Sequence, residues 1–70
     1  MTLIEKVNLM QGWLRKLEDI KEKRRKKEID DIDVYNTLNE IIENNKNELI
    51  SLNLLDVYEY SKEYYLLRIQ

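Results

Sequence analysis

A chain of seventy residues with no proline and a single glycine, Gly12, has few places at which to stop being helical. Three start signals divide it. Thr2 is followed at the third position by Glu5, a capping-box pattern in which each side chain can satisfy the other's backbone amide. Asp30 stands in the same relation to Asp33, with Ile29 and Val34 placed as a hydrophobic staple, and Asn53 stands so to Asp56. The caps predict helices over 3–27, 31–52 and 54–69, and the chain reads as one small all-α domain, 1–70. Apolar spacing supports the first two. Leu3, Val7, Met10, Leu14 and Leu17 recur at alternating steps of four and three, and so do Tyr35, Leu38, Ile42, Asn45, Leu49 and Leu52. At 1.5 Å per residue these helices run roughly 37 and 33 Å. Two rods of matched length with a short connection predict an antiparallel helical hairpin, with the third helix packed beside it.

The third segment is ambiguous. Val57, Tyr58, Tyr60, Tyr64, Tyr65 and Ile69 favour strand, and a turn at Ser61-Lys62 would make a β-hairpin packed on the two helices, with Asn53 as a left-handed stop. Ser-Lys lacks the Asn or Gly of a tight hairpin, however, and neither half shows a clean polar face. Wound as a helix, Asp56, Glu59 and Glu63 gather on one side, so a helix is the expectation.

Small size also limits stability. So short a chain buries a small share of its surface, and without cysteine or histidine it has neither disulfides nor the usual ligands of structural zinc. Self-association or a protein partner is the expected reinforcement. The charges, 12 cationic and 14 anionic, leave a net of −2, which disfavours a general nucleic-acid binder. No apolar run reaches a membrane span and no secretion signal is visible, so the expected location is cytoplasmic, without membrane association. Asn, Lys, Ile and Tyr, all with AT-rich codons, supply 28 residues while alanine is absent, which points to an AT-rich genome such as that of a phage or other mobile element.

Two surfaces stand out. Leu9, Trp13 and Ile20 form a second apolar shoulder beside the main stripe of the first helix. One neighbouring helix cannot cover both, so the shoulder is the candidate protein-binding site, with Trp13 its anchor. The third helix, a second copy or a foreign protein are its three candidate covers, and Gly12 beside it points to close approach of another backbone or to a kink. The second surface is Lys21-Glu22-Lys23-Arg24-Arg25-Lys26-Lys27, net +5, followed by Glu28-Ile29-Asp30-Asp31-Ile32-Asp33, net −4. Cations at one helix end and anions at the next helix start complement the two dipoles. The apolar stripe stops at Ile20, so these basic turns are expected in solvent. Lys21, Lys23, Arg24, Arg25, Lys26 and Lys27 are the candidate contacts to nucleic acid or an acidic partner. Asn45, polar within an apolar stripe, reads as a register-fixing buried polar residue or as a local drift of the face. Tyr58, Tyr60, Tyr64 and Tyr65 read as core, or as a recognition surface able to stack on bases.

Chemistry finds little footing. No histidine is present for general acid–base work or to activate Ser51 or Ser61. Asp31 and Asp33 could open a calcium loop, but Tyr35, Asn36 and Ile42 occupy positions that such a loop needs otherwise. No cofactor or metal site is expected. Leu49-Ile50-Ser51-Leu52-Asn53-Leu54-Leu55 with Tyr64-Tyr65-Leu66-Leu67-Arg68-Ile69 resembles the end of the recognition helix and the wing of winged-helix repressors. That resemblance implies a DNA-reading helix over 44–52, yet this stretch carries only Lys46 and includes Glu48, so no function is carried over. The sequence therefore predicts a non-enzymatic protein-binding regulator, an inhibitor or adaptor. A nucleic-acid binder using 21–27 and a structural self-associating protein are the alternatives.

Overall fold

Three helices account for the chain: α1 (Leu3–Arg25), α2 (Asp31–Ser51) and α3 (Leu55–Ile69). The computed structural model describes all seventy residues. No strand is present, so the β-hairpin over 54–69 and the wing of the winged-helix resemblance are both overturned. The reason lies in spacing. Leu54, Tyr58, Ser61 and Tyr65 fall on one face when wound as a helix, and all four are buried. In the hairpin Ser61 would have stood in the exposed turn instead of on that buried face. Ser61 is the small, buried polar residue at the middle of that face, and α2 and α3 are the most extensively packed pair of helices.

The predicted signals act at the helix starts. The Glu5 amide donates to Thr2 Oγ1 at 3.1 Å, and the Asp30 amide donates to Asp33 Oδ2 at 3.1 Å. Ile29 and Val34 both pack into the core, as a staple requires. Asn53 has a different role from the cap expected of it. At φ 59° it ends α2 in a left-handed turn, with its amide on Ile50 O at 3.0 Å and the Leu54 amide on Leu49 O at 2.9 Å. Lys27, at φ 63°, ends α1 in the same way, with amides 27 and 28 bonded to Arg24 O and Lys23 O. This stop closes α1 at Arg25, two residues before the predicted end.

The core holds Leu17 and Ile20 of α1, Val34, Leu38, Ile41, Ile42 and Leu49 of α2, and Leu52, Leu54, Tyr58 and Tyr65 beyond them. Asn45 departs from helical dihedrals (φ −130°, ψ 22°), and its side-chain amide donates to Ile41 O at 3.0 Å. This residue thus serves a local backbone irregularity within its own helix.

α1 is turned differently from the expectation. Trp13, Leu17, Ile20 and Arg24 face the other helices. Of the main stripe, Leu17 is buried and Met10 is partly covered, whereas Leu3, Val7 and Leu14 are exposed. The apolar arc of α1 is wider than the groove it lies in, and the bulky Trp13 and Ile20 take the covered half. The first turns of α1 are open on all sides. The molecule measures 40 × 21 × 16 Å with a radius of gyration of 12.6 Å, against about 11 Å for a compact chain of this length. No helix is long and apolar enough to cross a membrane.

Candidate interaction surface

The predicted shoulder is only partly free. Ile20 is buried and Trp13 packs against the core. The Trp13 ring meets Tyr58 edge to face, with centroids 6.0 Å apart at 86°, and the Tyr58 hydroxyl donates to the Trp13 carbonyl oxygen. Tyr58 is fully buried, and desolvation of its phenol pushes the pKa up to about 12. α3 is therefore the cover for most of the shoulder. Leu9 remains 38% exposed. It borders a shallow depression with Asn8, Gly12, Trp13, Lys16 and Glu48, and Lys16 Nζ lies 5.4 Å from the Trp13 centroid. A Cβ added at Gly12 would meet nothing within 4 Å, so no backbone approaches there, and no kink interrupts α1.

The basic run is dispersed. Arg24 Nε lies 2.6 Å from Asp31 Oδ1, and Arg68 Nε of α3 lies 3.3 Å from Asp31 Oδ2, so one half-buried carboxylate ties all three helices together. The hydrogen bond from Arg24, seconded by that from Arg68, holds the Asp31 carboxyl below its ordinary value. This corrects the expectation that the basic turns lack contact with the fold: the apolar stripe ends at Ile20, and a charged clamp takes over one turn later. Arg25 pairs with Glu22 and approaches Glu18, while Lys21 lies 4.0 Å from Glu18. Lys23, Lys26 and Lys27 stand exposed without an ionic partner.

Two apolar strips are open to solvent, and neither was predicted as a strip, although Tyr60 and Tyr64 belong to the tyrosines read above as core or recognition surface. On α1 the strip is Leu3 (77% exposed), Ile4 (74%), Val7 and Leu14. On α3 it is Val57, Tyr60 (77%), Tyr64 and Leu67 (69%), at steps of three, four and three. That step pattern was visible in the sequence, but the buried Tyr58 and Tyr65 share its residue types and hid it. Only the orientation of α3 separates the two sets. A groove between α1 and α3 links the two strips. Lys21, which follows Val7 and Leu14 at intervals of seven on the same face of α1, lines this groove of about 270 Å³ with Tyr60, Ser61, Tyr64 and Tyr65. Within it Tyr64 packs edge to face on Tyr65 at 5.1 Å, and Arg68 donates to the Tyr64 hydroxyl at 3.2 Å.

No group of three or more acidic side chains is placed to hold a metal ion. No family model matches this chain, and no curated protein and no solved structure matches it.

Proposed function

We propose that this protein is a non-enzymatic, protein-binding regulator, a stoichiometric inhibitor or adaptor acting in the cytoplasm. The observation that carries the reading is the α1 strip: four large apolar side chains at helical spacing, left open although the chain has a core available. Contiguous open apolar surface of this kind marks interaction sites. Leu9 and the uncovered edge of Trp13 line a separate depression with Gly12, Lys16 and Glu48, and Ile20 serves the core, so none of the three residues read from sequence lies on this strip. Amino-acid usage supports an AT-rich genome, that of a low-GC bacterium, its phage or plasmid, or an archaeal virus. The test is capture by the tagged chain from lysate of the source organism, with and without nuclease, beside a Val7→Glu variant. Specific proteins retained by the parent and lost with the variant are the expected result. Identical retention by both refutes this use of the strip.

One observation favours a second reading. The fold sets Lys21 beside Tyr60 and Tyr64, with Lys23, Lys26 and Lys27 unpaired nearby in sequence, and cations interleaved with open aromatic rings suit single-stranded nucleic acid. That reading requires affinity that falls steeply with salt and weakens when Lys23, Lys26 and Lys27 become Ala. Salt-independent binding removes it.

A further inference from the structure

We infer that the partner of these strips is a second copy of this chain, joined about a two-fold axis so that the α1 strip of each copy lies antiparallel on the α3 strip of the other. The inference rests on reading the open α1 strip as a binding face, and it names the occupant.

Three observations lead to it. The first is register. Run antiparallel, Leu3 comes opposite Leu67, Val7 opposite Tyr64, the half-buried Met10 opposite Tyr60 and Leu14 opposite Val57, with the exposed Ile4 to one side of the seam. Steps of four, three and four on α1 face steps of three, four and three on α3, so successive pairs stay within one residue of register over three turns.

The second is level. Trp13 contacts Tyr58 and Arg24 reaches Arg68 through Asp31, so the α3 strip runs alongside the second half of α1. The α1 strip occupies the first half. Within one molecule the two strips lie at different heights, linked by the groove between α1 and α3. A two-fold axis at right angles to the helices, passing at the level of Leu14 and Val57, brings the lower strip of each copy onto the upper strip of the other. Such a contact is self-complementary and closes at two copies.

The third is area and charge. The eight open side chains of the two strips expose on the order of 900 Å² per copy, an upper bound on what the contact buries and of the same size as the ~800 Å² per partner of a standard specific interface. In the same register Lys6, at one edge of the α1 strip, comes beside Glu63 of the second copy, and neither has an ionic partner within its own chain.

The experiment uses the full chain. Sedimentation equilibrium across micromolar to sub-millimolar concentration is expected to show a species of twice 8.6 kDa, and Val7→Glu or Leu67→Glu should each weaken association at least about 100-fold. Both positions are exposed, so circular dichroism should show helicity unchanged in either variant. Because the chain has no cysteine, a mixture of Val7→Cys and Tyr64→Cys proteins should oxidise to the mixed disulfide in preference to either homodimer. A single 8.6 kDa species at every concentration overturns the inference. So does a dimer indifferent to both substitutions and without the mixed disulfide, and so does a mass increase that nuclease abolishes. If the chain is monomeric but Val7→Glu still loses captured proteins, the second copy fails as occupant while the protein-binding reading stands. If it is monomeric and capture is also unchanged, both fail.

Discussion

Tyr58→Phe tests how the α1 packing is fixed, because it removes one oxygen from the point where α3 meets α1. The Tyr58 hydroxyl donates to the Trp13 carbonyl, which sits mid-helix, where an amide of the next turn also reaches it. The substitution therefore leaves no stranded acceptor, and at neutral pH it should cost about 1 kcal/mol, the net worth of one hydrogen bond. Alkali adds a sharper test. The folded-state pKa near 12 lies above the ordinary 10, so between these values the unfolded chain has lost a proton that the native state keeps. Stability then falls as pH rises: the phenol's contribution is intact below pH 10 and is lost progressively up to pH 12. Two pKa units correspond to roughly 2–3 kcal/mol. By about pH 11 the unfolded state should have gained ~1.4 kcal/mol from this ionisation, enough to cancel the advantage of the parent over Tyr58→Phe. Urea unfolding of both proteins, followed by circular dichroism at pH 7 and pH 11, measures the gap directly. Comparison within the pair cancels the titration of lysines and of the other tyrosines, including Tyr65, whose pKa burial also raises. A gap of the same size at both pH values would refute the claim that the Tyr58 phenol is desolvated in the native state.

Gly12→Ala should stabilise the chain by about 1 kcal/mol in the same urea experiment, since the new methyl enters open space and the helix gains propensity. A loss of stability would mean that another backbone does approach there. Lys27→Gly should also stabilise, by ~1 kcal/mol, by removing the side chain that makes the left-handed stop of α1 costly. An unchanged midpoint would argue that α1 ends otherwise. Asp31→Asn should lower the melting temperature at neutral pH and much less in acid. The carboxylate's folded pKa is depressed by Arg24 and Arg68, so its contribution is present above the ordinary Asp range and is lost as pH falls through the depressed value. A difference in melting temperature that does not change with pH would remove the clamp from the account.

Helix starts were the most legible part of the sequence, because a cap is a local event. Thr2 with Glu5, and Asp30 with Asp33, act where the spacing put them. Helix ends were less so. Nothing in Lys27 marks it as a left-handed stop, since glycine or asparagine is the usual signal. Asn53 carried two opposite signals, the start of one helix and the stop of another. The stop prevailed because the Leu49 and Ile50 carbonyls at the end of α2 needed donors.

Faces were harder to read than ends, for a physical reason. A helix with an apolar arc wider than one groove has more than one way to lie, and the choice is made by what it meets. In α1 the contest was between the regular stripe through Leu3, Val7 and Leu14 and the shoulder through Trp13 and Ile20. Trp13 had Tyr58 to pack on, and Arg24 had Asp31, so the shoulder turned inward. Tyr58 could not be paired with α1 before α3 was known to be a helix lying along it. The open apolar surface of α1 is therefore the regular stripe through Leu3, Val7 and Leu14 and not the shoulder of Leu9, Trp13 and Ile20 that the sequence pointed to. The same rotation sets Val7 and Leu14 in line with Lys21, beside the tyrosines of α3. The shoulder and the row of tyrosines each split between core and surface: Trp13, Ile20, Tyr58 and Tyr65 pack inward, and Leu9, Tyr60 and Tyr64 stay open. A face built from both ends of the chain has a shape that neither end specifies alone.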